Sequence, residues 1–132
     1  EKSVTAREFE CAILGKKEIK VSVVGEITFN NDWYDYETKY ANNSSKTLIP
    51  APIDDDLSKR VKAMSLKACK AINAYGLARV DFFYQEKDGA LFINEINTIP
   101  GFTSQSMYPM LWDVTGLSLD KLVVRLIETA RE

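Results

Sequence analysis

The sequence has no histidine. That removes the Ser–His and Cys–His pairs that activate most protein nucleophiles. Cysteine is scarce as well: Cys11 and Cys69 stand far apart, in no metal-ligand spacing, which argues strongly against a zinc centre. Charge of one sign is lacking, because 17 basic residues against 19 acidic ones leave a net charge of -2. There is thus no electrostatic case for nucleic acid or an anionic membrane as partner. No apolar run approaches the length of a membrane span, and no signal peptide opens the chain. A reduced, cytoplasmic protein is expected.

What is present suits one folded domain. The chain has 132 residues, 45% of them hydrophobic and 27% charged, enough for a real core. It begins at Glu1 without a methionine and enters a strand almost at once. An excised domain or a fragment is expected, with a processed mature protein as the alternative.

Residues Ala6 to Leu14 alternate as a strand. Gly15, Lys16 and Lys17 read as a turn, and Glu18 to Val24 as the antiparallel partner, with Ile27 to Phe29 as a short extension. The segment "NNDWYDYETKYANNSSKTLIPAP" is polar, aromatic and aperiodic. It reads as a long functional or mobile loop closed by Pro50 and Pro52. Asp54 is the expected N-cap of a helix running to about Tyr75, with Leu57, Val61, Met64, Ala68, Ile72 and Tyr75 on one face and Gly76 ending it. Leu77 to Tyr84 and Ala90 to Asn97 form a second hairpin around "QEKDG". Ser118 is the expected cap of a last helix, striped by Leu119, Leu122, Val123, Leu126, Ile127 and Ala130. Hairpins mixed with packing helices predict an α+β domain: a mainly antiparallel sheet covered by helices.

The second hairpin carries the chemistry. With the turn centred on Asp88, Asp81 lies opposite Glu95 and Arg79 opposite Asn97. All four then share one face, while Val80, Phe82, Tyr84, Phe92, Asn94 and Ile96 share the other. Two adjacent carboxylates repel unless a proton or cation sits between them. Asp81, Glu95 and the Asn97 amide oxygen are hard ligands that suit Mg²⁺. A salt-bridge cluster around Arg79 is the competing reading, of about equal weight on these residues alone. The next segment, "NTIPGFTSQSMYP", favours the cation. Gly101 permits unusual backbone angles, so its N–H can approach a ligand. Thr103, Ser104 and Ser106 bring donors beside the metal, where an anionic substrate needs them.

"GLARVDFF", "FINEINTIPGFTSQSMYP" and "DYETKY" resemble the C-terminal domain of the D-alanine–D-alanine ligases, in the ATP-grasp superfamily. The resemblance covers essentially all of residues 1–132. It implies an ATP-grasp C-terminal domain and ATP-dependent joining of two D-alanines through a D-alanyl phosphate, for peptidoglycan precursor synthesis. It further implies two Mg²⁺ ions, with Mn²⁺ as a substitute, held by Asp81, Glu95 and Asn97. Arg79 would steady the phosphorylated intermediate, the N–H of Gly101 would complete an oxyanion hole, and Ser106 would bind the second substrate's carboxylate. Lys39 would meet the γ-phosphate and Tyr40 the substrate side. Glu1, Lys2 and Val4 would line the adenine, and Glu8 would hold the ribose.

The same resemblance implies missing N-terminal and central domains, a homodimer for the full-length enzyme, and an inactive fragment here. Ligases that join D-alanine to D-serine, or less readily D-lactate, are the nearest alternative. A non-catalytic nucleotide-binding module is a third. The full gene sequence would discriminate among them.

Overall fold

Side-chain alternation in one strand organises the whole domain. In a computed structural model, which describes residues 5–29 and 45–132, strand β1 (Arg7–Gly15) lies at the centre of the sheet. Its Phe9, Cys11 and Ile13 point to one face, and Glu8, Glu10, Ala12 and Leu14 to the other. Around it run β2 (Lys20–Phe29), β3 (Ser45–Leu48), β4 (Gly76–Gln85) and β5 (Ala90–Asn97). The five strands are ordered β3-β2-β1-β4-β5, and every neighbouring pair is antiparallel.

Helices cover the two faces unequally. Helix α1 (Asp55–Ala71) buries Leu57, Val61 and Cys69 against Phe9, Cys11, Ile13, Val80 and Phe82. Helices α2 (Met107–Thr115) and α3 (Leu119–Ala130) lie on the opposite face. There Tyr108, Leu111, Trp112 and Leu122 pack on Ala12 and Leu14, with Leu77 alongside. The Tyr108 hydroxyl donates to the Ile13 carbonyl at 2.8 Å, pinning α2 to the central strand. Only one half of this face is covered. The other half carries Glu8 and Glu10 of β1 beside Arg79 and Asp81 of β4, and no helix could bury four such groups cheaply. No described helix is long and apolar enough to cross a membrane.

The α+β architecture agrees with the sequence reading, and several details differ. Helix α1 stops at Ala71, not Tyr75; Asn73 takes the left-handed φ of 54° and Gly76 already belongs to β4. Ile72 and Tyr75 are consequently 55% and 46% exposed, and the buried stripe is Leu57, Val61, Ser65 and Cys69. The long polar segment contains β3, a short edge strand paired with β2 from Glu26↔Leu48 to Phe29↔Ser45. Helix α2 is an additional element, with Pro109 in its first turn, where no intrahelical N–H is lost. The apolar stripe of α3 is mostly uncovered: Leu122 is buried, while Leu119, Val123 and Ile127 are exposed. Asp54 does cap α1, accepting from the Leu57 N–H at 2.8 Å. Ser118 occupies the N-cap of α3, but its hydroxyl bonds Asp120 rather than the helix backbone.

Both hairpins contain a bulge. In β2 the extra residue lets the Ser22 hydroxyl accept the Ala12 N–H at 2.9 Å. In β5 the ladder slips by one residue at Asn94. Alternation therefore breaks there: Leu91 and Ile93 face the α1 side with Phe82 and Tyr84, whereas Phe92 stands opposite Phe83 on the polar side. The predicted placement of Phe92 and Asn94 with Ile96 does not hold.

Candidate active site

The site is a set of register positions. Asp81 pairs with Glu95 and Arg79 with Asn97, as expected, although the turn is centred between Lys87 and Asp88 and it is the bulge at Asn94 that brings these pairs into register. On the other side of β4, Glu10 pairs with Asp81 and Glu8 with Phe83. Residues directly opposite on antiparallel strands share a face. Glu8, Glu10, Arg79, Asp81, Glu95 and Asn97 therefore form one polar field across three strands.

Arg79 holds the field together. Its Nε and Nη2 donate to the two Asp81 oxygens, each at 2.7 Å, in a bidentate pair. These bonds, with further help from Glu10 and Glu95, raise the Arg79 pKa above its ordinary value. Glu10 is the residue that sequence reasoning misses. It is only 6% exposed, and its Oε2 lies 3.1 Å from Arg79 Nε without a hydrogen bond, because that N–H points at Asp81. Burial and the Asp81 charge push the Glu10 carboxyl up to about 7 against the pull of Arg79. Glu8 is raised as well, by burial first and then by Asp81. A sequence signal for Glu10 exists: it shares the alternation face of Glu8 in a central strand.

Glu95 is exposed and makes no side-chain hydrogen bond or salt bridge among the described residues. Asn97 Oδ1 accepts from the Ile99 N–H at 3.0 Å, starting the turn that leaves the sheet. Among the described residues no three His, Cys, Asp or Glu side chains close around a point; the donor set here is two carboxylates and an amide. Carboxylate and amide oxygens each keep a lone pair beyond the bonds described, so these donors fit a hard cation that completes its shell with water or phosphate.

After the sheet the chain folds back on itself. Ser106 Oγ accepts from the Thr103 N–H at 3.0 Å and meets Thr103 Oγ1 at 2.8 Å, while the Ser106 N–H donates to the Thr103 carbonyl at 3.0 Å. Ser106 is the N-cap position of α2, but its hydroxyl serves this turn, not the helix. Gly101 does not use a left-handed backbone. Its need for glycine is spatial, since a Cβ there would meet Ser106 Oγ at 3.0 Å. The expectation of unusual angles at Gly101 is thus replaced by one of close approach. The sites expected at Glu1, Lys2, Val4, Lys39 and Tyr40 lie outside the described residues, as does the loop from 30 to 44.

A central antiparallel sheet with helices on both faces and this polar half-face defines an α+β domain of the ATP-grasp kind. A family model described as D-ala D-ala ligase C-terminus matches residues 1–128. A D-alanine–D-alanine ligase of Prochlorococcus marinus is 62% identical over 130 residues, covering 98% of this chain and 37% of its own length. The VanG D-Ala:D-Ser ligase of Enterococcus faecalis is 40% identical with a TM-score of 0.85, covering 98% of this chain and 37% of that one. The D-alanine–D-alanine ligase of Bacillus anthracis complexed with ATP is 27% identical with a TM-score of 0.82, covering 99% and 40%. The chain belongs to the D-ala D-ala ligase C-terminus family. It spans 37% of the length of the two curated relatives it matches at 62% and 61% identity.

Proposed function

We propose that residues 1–132 are the C-terminal catalytic domain of an ATP-dependent, ADP-forming D-alanine–D-alanine ligase. One observation carries the reading: Arg79, Asp81, Glu95 and Asn97 meet as opposed pairs on one sheet face, in a chain 62% identical to a relative bearing that name. The activity is assigned to the full-length protein, in which N-terminal and central domains complete the site. The 132 residues alone are expected to bind ATP weakly and to lack turnover, because catalysis by positioning fails when a wall of the site is absent.

The residues divide the work as follows. ATP phosphorylates the carboxylate of one D-alanine, and the amine of the second attacks the acyl phosphate, releasing phosphate. No protein nucleophile is needed, which suits a chain without histidine. Asp81, Glu95 and Asn97 would hold Mg²⁺, which would supply charge neutralisation on the ATP phosphates. The guanidinium of Arg79 faces the charge that builds on the transferred group. The Gly101 N–H would serve the oxyanion, and the Ser106 hydroxyl the second substrate's carboxylate. Glu8, with Glu1, Lys2, Val4, Lys39 and Tyr40, serves the nucleotide and the closing loop. Free, buried Cys11 and Cys69 suit a reducing cytoplasm, and a homodimer is proposed for the full-length enzyme.

D-serine as second substrate is the alternative, favoured by the 40% identity to the VanG D-Ala:D-Ser ligase. The 62% relative outweighs it. The test supplies full-length protein with ATP, Mg²⁺ and D-alanine, with D-serine or D-lactate in competition. Phosphate release and the dipeptide formed are measured. D-alanyl-D-alanine as main product is expected; D-alanyl-D-serine in excess reassigns the substrate, and no Mg²⁺-dependent phosphate release removes the ligase reading.

A further inference from the structure

We propose that Glu10 is a positioning residue, a second counter-ion that keeps the Arg79 guanidinium in place when Asp81 engages a cation. The inference deepens the proposed function and rests on its reading of Arg79 and Asp81.

Burying a carboxylate oxygen with no donor is costly. Glu10 Oε2 is in that condition at the centre of the sheet. Strand architecture does not demand it. The next two positions on the same face of β1 are Ala12 and Leu14, both buried and apolar. Packing therefore does not account for an acidic side chain at this position, and the nearest positive charge is Arg79 Nε at 3.1 Å.

Asp81 now takes both donors of one guanidinium edge. A divalent cation held by Asp81 would draw on the same carboxylate, so the arginine and the cation would compete for it. Among the described residues Arg79 has two salt-bridge partners, Asp81 and Glu10. As Asp81 turns to the cation, Glu10 remains as acceptor, already within reach and already stripped of water. A planar guanidinium held this way loses little freedom when the bond forms. Without Glu10, the arginine either stays on Asp81 and opposes the cation or leaves its position over the polar field.

The test uses the full-length protein with Glu10→Gln, Arg79→Lys and the double variant. Glu10→Gln keeps the volume and removes a buried charge, so it should fold, as far-UV circular dichroism will check. It should lower kcat about tenfold or more while KM for ATP stays within about threefold, the pattern of an interaction made in the transition state. In the Arg79→Lys background it should cause no further loss, because Glu10 acts through Arg79. Mn²⁺ binding with ADP, followed by electron paramagnetic resonance, should change by less than about threefold. Glu10→Asp keeps the charge but draws it back, and should lose part of kcat. Wild-type kcat in both Glu10 variants, with Arg79→Lys inactive, overturns this proposal and leaves the proposed function standing. So do losses that multiply in the double variant. Mn²⁺ binding weakened tenfold by Glu10→Gln makes Glu10 a metal ligand and overturns it too. Full activity in Arg79→Lys removes the underlying reading and this one with it.

Discussion

Asp81 and Glu95 stand directly opposite each other on β4 and β5, at the last paired position before the ladder slips at Asn94. The two carboxylates share a face but not an environment. Asp81 is clasped by Arg79, while Glu95 is exposed. In the full-length protein, Glu95→Gln should lower turnover on the order of a hundredfold or more, since metal charge stabilisation is worth several kcal/mol. Its melting temperature should move little, because exposed substitutions usually fall within about 0.5 kcal/mol. Activity within twofold of wild type would remove Glu95 from the mechanism.

Glu10 makes stability depend on pH in a defined direction. Its folded-state pKa of about 7 lies above the ordinary 4.5, so the folded chain holds the proton more tightly than the unfolded one. The resulting stability is fully present below pH ~4.5 and is lost as pH rises through ~7. Burial is the main cause; Asp81, Glu8 and Glu95 add to it and Arg79 opposes it. The loss is roughly 3 kcal/mol at most, at about 1.4 kcal/mol per pKa unit. Urea unfolding of this chain in chelator, from pH 5 to pH 8.5, should show it. Glu10→Gln should flatten that slope and be the more stable protein at pH 8.5.

Helix α1 depends on its cap. Asp54 accepts the Leu57 N–H at 2.8 Å, and Leu57 is the first residue of the stripe buried on the sheet. Asp54→Ala should cost about 1 kcal/mol and lower the melting temperature by about 4 °C. Asp54→Asn should restore most of it. Equal stability in all three proteins would show that tertiary packing alone holds the first turn.

The shared face of Arg79 and Asp81 was legible because the two alternate in one strand. Their partners were reached through two shifts that cancel. Gly89 closes the β4–β5 turn with a φ of 68°, and the Gln85↔Ala90 pair beside it sets a register that by itself would put Asp81 opposite Asn94. The bulge at Asn94 then moves the ladder by one residue and gives Asp81↔Glu95 and Arg79↔Asn97. A bulge leaves no compositional mark. Strand β3 was hidden because "SKTL" is polar, as an edge strand can be. Helix α2 was hidden by its shortness and its proline, although Pro109 near its start and the left-handed Gly116 at its end are the expected punctuation. Glu10 looked like any strand carboxylate. Its burial comes from packing between β2 and β4, which only the folded sheet reveals.

Gly101 offers the sharpest separation of fold from function. Its backbone φ is not left-handed, so alanine brings no torsional strain there. The nearest atoms to an added Cβ are Ser106 Oγ at 3.0 Å and Ser106 Cβ at 3.5 Å. Both belong to one side chain, and that hydroxyl is held by the Thr103 N–H. Gly101→Ala should therefore displace the Ser106 hydroxyl by a few tenths of an ångström and leave the core untouched. Stability should stay within about 1 kcal/mol, because reduced freedom of the unfolded chain offsets part of any local cost. Activity of the full-length protein should fall at least about tenfold, with KM for the second amino acid rising most, since that substrate is assigned to Ser106. Removing the hydroxyl separately tests the route. If the damage runs through Ser106, Gly101→Ala should do little more harm in a Ser106→Ala background. If the losses multiply, the added methyl blocks the approach of the Gly101 N–H to the substrate directly, and the contact with Ser106 is incidental.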